Sequence, residues 1–253
     1  MTGLATLLMA VAVVFGGVLQ RISGMGMGLV LSPFLALLLG ANVGVTVTNV
    51  ATVLSSFLIG FVLRSGVDRR RFAIIAPAGL LGTVPGAYLV KHLDGNWLSV
   101  IVGTAVLIAL TVTLTSGRVR TLPHLTGPWW LGPFAALGAF LNVVAGVAAP
   151  ALVIYSLLSR WEQRSFAATL QPTFLWFGLT SVITKIAIGA THFNALPPAW
   201  VLLVITAAIV LAIALGGRLS LRVSPQQARR IGIAVAGLGA VSAIIRGLVG
   251  ALS

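Results

Sequence analysis

Cysteine is absent from the 253-residue chain, so no disulfide framework, thiolate metal site or thiol nucleophile is available. Carboxylates are nearly as scarce, with Asp68, Asp94 and Glu162 the only three, and histidine is limited to His92, His124 and His192. All six fall in segments read as loops. That removes the usual residues for proton relays, carboxylate cation sites, metalloenzyme centres and paired-acid hydrolysis. Neither an enzyme activity nor a metal or cofactor is expected.

What the chain has is apolar length. It is 58% hydrophobic and 8% charged, with a mean hydropathy of +1.11. Its apolar runs approach the roughly 20 residues a helix needs to cross hydrocarbon. Backbone polar groups in lipid must be satisfied internally, and runs of this length favour a helical bundle over a barrel of alternating ten-residue strands. The expected fold class is therefore an all-α polytopic membrane protein forming a single membrane domain, 1–253. The stretch from Met1 to Gly17 lacks a basic n-region and a small-residue cleavage site, so it is read as a retained span.

A net charge of +13 raises nucleic acid as a partner, but the basic residues sit in short loops between spans rather than on one solvated face. They form four clusters: Arg64 with Arg69, Arg70 and Arg71; Arg118 with Arg120; Arg160 with Arg164; and Arg218 with Arg222, Arg229 and Arg230. The positive-inside rule accounts for them, and no nucleic acid is expected.

Apolar segments occur at about 4–20, 25–39, 43–63, 72–91, 97–115, 129–143, 147–159, 166–189, 198–217 and 230–250. The first two and the sixth and seventh are short and joined by glycine-containing turns, so each pair is expected to form a re-entrant, broken-helix hairpin. With hairpins that return to their own side, all four arginine clusters fall on the cytoplasmic face. Six full crossings and two external termini result.

Shifting the first hairpin by 122 pairs Gly16 with Gly138, Gln20 with Asn142, Gly24 with Gly146 and Asn49 with Gln171. An insertion around 189–197 then interrupts the match. The halves, 1–116 and 129–253 joined by a linker at 117–128, each hold a hairpin and three crossings. An odd number of crossings makes the second half upside down, an inverted repeat of the kind found in transporters.

The candidate substrate site follows from the hairpins. Gln20, Arg21, Ser23, Gly24, Gly26 and Gly28 place one cation, two polar side chains and flexible backbone where the first hairpin turns, and half-helix N-termini favour anions. Asn49 and Thr52 share a helix side in the next span, and Asn142, Gly146 and Gln171 are the second-half partners. Arg21 either faces a cavity or snorkels to the headgroups, and both remain open. Its counterpart, Val143, is uncharged. Lys185 and Arg246 lie near helix ends and are expected to snorkel.

The block from Gly16-Gly17 through Gly28 to Pro33, the stretch Thr48-Asn49-Val50-Ala51, and Gly82-Thr83-Val84-Pro85-Gly86 together resemble the TauE/SafE sulfite exporter family, also called the 4-toluene sulfonate uptake permease family. The second-half stretch Gly146-Val147-Ala148-Ala149-Pro150 lacks a glycine run frequent in that family. The resemblance implies transport of a sulfur-containing anion, such as sulfite, a sulfonate or sulfoacetate, across the bacterial plasma membrane. The expected function is alternating-access transport, with a passive anion channel as the alternative. The partners expected are the small anion and the lipid bilayer, with a homo-oligomer left open.

Overall fold

The computed structural model describes residues 3–23, 26–115, 124–125 and 127–252. Ten α-helices run through them. The first half contributes α1 (Gly3–Ser23), α2 (Gly28–Leu39), α3 (Ala41–Leu63), α4 (Arg69–His92) and α5 (Gly95–Thr115). The second contributes α6 (Leu131–Ala145), α7 (Ala149–Leu158), α8 (Gln163–Ala187), α9 (Ala199–Leu219) and α10 (Pro225–Leu252). No strand occurs among the described residues.

Eight helical stretches are long and apolar enough to span a membrane. This corrects the expected crossing lengths: α1 reaches 21 residues and the stretch Pro128–Ala145 reaches 18, so only α2, with 12 residues, and α7, with 10, fall short. Nothing breaks the helix between Gln20 and Ser23, so Arg21 sits in the last turn of α1 rather than in the turn after it. Each hairpin thus has one membrane-length arm and one short arm. At 1.5 Å per residue, α2 and α7 are about 15–18 Å long, half of a hydrocarbon core. His92 also departs from its loop placement and closes α4 as an exposed residue.

Carboxylates are used as helix caps. Asp68 accepts from the Arg71 backbone N–H at 3.0 Å to start α4, and Glu162 accepts from Arg164 and Ser165 at 2.9 and 2.7 Å to start α8. Each satisfies donors that have no intrahelical partner and complements the positive end of the helix. Glycine permits close packing along α4, where Gly79 meets the Phe177 ring, Gly82 meets the Ala136 carbonyl and Gly86 meets Phe140 and Val143. In membranes such backbone-to-backbone approach replaces the hydrophobic drive that water supplies elsewhere.

Some of the largest helix interfaces correspond when α1–α5 are exchanged for α6–α10, whereas α2 packs far more closely on α3 than α7 does on α8. The α4–α6 interface has its counterpart in α9–α1, while α3 packs on α8 and α5 on α10, each helix against its own equivalent. The central pair α3–α8 carries the buried polar residues Thr46, Thr48, Asn49, Thr52, Ser55 and Ser56 on one side, and Thr169, Gln171, Thr173, Thr180, Ser181 and Lys185 on the other.

Candidate functional site

The short helices α2 and α7 begin at one place inside the bundle. Gly26, Met27, Gly28 and Leu29 at the start of α2 line a crevice together with Gly146, Val147, Ala148 and Ala149 at the start of α7. Thr52, near the middle of α3, Phe174 of α8 and Asn142 of α6 complete it. The two positive helix ends therefore point at one crevice, a layout suited to negative charge. Pro150 sits in the first turn of α7, where a missing N–H costs no helical hydrogen bond.

Backbone contact closes the crevice. Gly146 turns the chain out of α6 with φ +70°, a left-handed conformation that suits glycine, and its N–H donates to the Asn142 carbonyl at 2.8 Å. Any side chain at Gly28 would overlap the Gly146 carbonyl oxygen, and Ser32 Oγ donates to the Ala145 carbonyl beside it. The remaining space is about 10 Å³, room for no more than a water.

A larger cavity of about 340 Å³ leads from the crevice to the bundle end that carries the arginines. Its floor holds Gly26, Leu29, Gln171 and Phe174, and its walls carry Gln20, Arg21 and Ser23 from the end of α1. Leu63, Gln163 and Arg229, at the ends of α3, α8 and α10, form its mouth. Arg229 donates from Nη2 to the carbonyl of Thr113 at the end of α5, where a cation complements the negative helix terminus. The Arg21 stem lies flat on α9, since a methyl on Gly216 would come within 2.8 Å of Arg21 Cβ.

Among the described residues, five buried polar atoms near the crevice and cavity floor have no hydrogen-bond partner: Asn49 Oδ1, Thr52 Oγ1, Ser56 Oγ, Asn142 Nδ2 and Gln171 Oε1. A buried orphan costs about 1–3 kcal/mol, so a cluster of them points to a ligand or ordered water. Thr52, Ser56 and Asn142 can donate. Asn49 has spent its donor, which reaches Ser181 Oγ at 2.8 Å and the Asn142 carbonyl at 3.3 Å.

The expected residues are thus sorted into places. Gly26, Gly28, Thr52, Asn142 and Gly146 line the crevice, while Gln20, Arg21, Ser23, Gly26 and Gln171 line the cavity. Gln20 Oε1 accepts from Ser55 Oγ at 3.4 Å, and Ser23 Oγ bonds back to the Leu19 carbonyl at 2.6 Å. Asn49 lies outside both linings and buttresses Asn142 from behind. Gly24, like Arg118 and Arg120, lies outside the described residues.

Two cations escape the sequence reading. Arg229 is hidden in a cluster that topology already explains. Lys185, expected to snorkel, is instead fully buried, and its ammonium donates to Thr46 Oγ1 at 3.4 Å. Arg246 is exposed and donates to the Leu37 carbonyl at the end of α2.

A bundle of membrane-length helices enclosing two short helices that meet N-terminus to N-terminus defines a multi-pass membrane protein with an internal polar site. The chain belongs to the sulfite exporter TauE/SafE family, whose model matches residues 8–244. No curated protein and no solved structure matches it. Membership puts it in a family of membrane transporters rather than of enzymes.

Proposed function

We propose that the protein is a secondary-type transporter that moves a small sulfur oxyanion, of the sulfite or sulfonate class, across the bacterial plasma membrane by alternating access. The observation that carries this reading is the arginine-walled cavity ending on two facing helix N-termini, with the unpaired donors of Thr52 and Asn142 beside them. By the positive-inside rule the open cavity faces the cytoplasm. Arg21 and Arg229 draw the anion in, and Gly26 hands it to the crevice. Because the crevice holds only a water, the tips part before an oxyanion enters, which separates a carrier from an open pore.

The corresponding α4–α6 and α9–α1 interfaces, the α3–α8 and α5–α10 pairs, and the common offset of 122 support two inverted repeats as the moving parts. On this reading α2 fills the outer half of the site's column and α7 the inner half.

Thermal stability of the detergent-purified protein with sulfite, sulfate, thiosulfate, sulfoacetate, taurine and simple carboxylates tests the reading. A ligand at about 100 times its Kd adds about 2.7 kcal/mol to folded-state stability. A shift with a sulfur oxyanion that disappears in Arg21→Ala is expected. No shift with any of these anions removes the substrate class, and flux that never saturates with sulfite removes the carrier mechanism in favour of a channel.

A further inference from the structure

Lys185 is unused by the site described so far, and its setting is unusual. Its side chain is wholly buried between α3 and α8, with Thr46 Oγ1 its only hydrogen-bond partner among the described residues. Among those residues no carboxylate pairs with it, since the one ion pair joins Arg71 to Asp68. A buried ammonium with a single hydroxyl partner is unfavourable unless something else compensates it.

Lys185 belongs to a polar line that runs along the α3–α8 seam from the crevice to the end opposite the arginines. Asn142 meets Asn49, Asn49 donates to Ser181, and Lys185 lies one turn beyond Ser181 on the same face of α8. Thr46 connects Lys185 to the Asn42 carbonyl at 2.8 Å, and the Asn42 amide is bonded in turn to the Ala190 carbonyl and to Thr191 Oγ1. Polar side chains therefore continue past the crevice, although Thr46, Lys185 and Thr191 at this end are all buried.

The offset of 122 shows what the closed end corresponds to. It takes the cavity residues Ile59 and Leu63 to Ser181 and Lys185, and it takes Leu170 and Gln171 back to Thr48 and Asn49. The equivalents of one wall of the open cavity are the residues of the closed seam. We infer that the α3–α8 seam is the outer half of the anion pathway and that Lys185 is its anion-binding cation when that half opens. This rests on the alternating-access reading. Cations then serve both halves from non-equivalent positions: Arg21 stands opposite Val143, and Lys185 opposite Leu63.

Because the chain has no native cysteine, single substitutions report without background. In vesicles of uniform orientation, Ile59→Cys and Ser181→Cys are each exposed to a membrane-impermeant maleimide from either side, without sulfite. Labelling of Ile59→Cys from the arginine side and of Ser181→Cys from the opposite side is expected. Ser181→Cys that stays unlabelled while Ile59→Cys reacts overturns the outer pathway and leaves the inner site standing. Both positions reacting from both sides overturns alternating access itself.

For the cation, uptake of radiolabelled sulfite from the outer side should show half-saturation raised about tenfold or more in Lys185→Met and largely restored in Lys185→Arg, as for loss of a charged hydrogen bond. Wild-type half-saturation in Lys185→Met denies the residue its role. Should Lys185→Met fail to fold, Thr46→Cys labelling decides the pathway with the lysine in place, and protection from the outer side overturns it.

Discussion

At the first hairpin tip, Gly26, Met27 and Gly28 lead into α2, and Gly26 lies on both the crevice and the open cavity. At the second, Gly146 to Pro150 lead into α7, and the residues from Val143 to Ala145 just before them are no more than 1% exposed. The arm before the first tip carries Gln20 and Arg21, and the arm before the second carries Asn142 and Val143. Similar scaffolds thus differ in charge, Arg21 against Val143, while both tips reach the open cavity, the first through Gly26 and Leu29 and the second through Ala149. Two elements of similar layout can thus carry different chemistry before their turns.

The largest expected effect breaks the contact between the tips. Gly28→Val drives a branched side chain into the Gly146 carbonyl, costs about 1–3 kcal/mol of stability or more, and abolishes sulfite flux in vesicles. Wild-type flux would show that the tips are not in contact in the working protein. Next, Arg21→Ala raises the half-saturation constant for sulfite about tenfold from the arginine side, whereas Val143→Ala lowers Tm but leaves half-saturation within about twofold. Equal effects on half-saturation would erase the difference between the two arms.

Asn142→Ala is a smaller test, at the crevice. It removes the unpaired Nδ2 donor and weakens oxyanion binding by about 1 kcal/mol, measured as a loss of ligand-induced stabilisation. Smallest is Pro150→Ala, which returns an N–H to the first turn of α7 and changes stability by less than about 1 kcal/mol. A modest gain in sulfite affinity is expected, and a marked loss would mean that the proline ring itself shapes the crevice.

The ten apolar segments read from hydropathy correspond to the ten helices, because length and polarity alone dictate them. Their ends are less legible. α1 continues through Arg21, which lies on the cavity wall, a placement composition does not show. α10 begins at Pro225 because Ser224 and Gln227 form a capping box, with the Gln227 N–H donating to Ser224 Oγ and the Ser224 N–H to Gln227 Oε1, a local signal that hydropathy passes over. Glycines, an amide and a threonine in an apolar setting drew attention to Gly26, Gly28, Thr52, Asn142 and Gly146, and the structure places all five on the crevice. Whether a lysine one turn from a helix end snorkels or is buried depends on what packs around it. For Lys185 the packing of α3 decides, a tertiary fact with no local signature.

The meeting of Gly28 with Gly146 has a mechanical meaning. Two backbones touch there with no side chain between them, so the joint can neither be compressed nor relaxed by rotamer changes. In a machine such a point is a fulcrum, and displacement is smallest at the fulcrum. Under the alternating access proposed above, a cargo held beside it would travel little while the ends of the levers swing widely, and the doors at either face would do most of the moving.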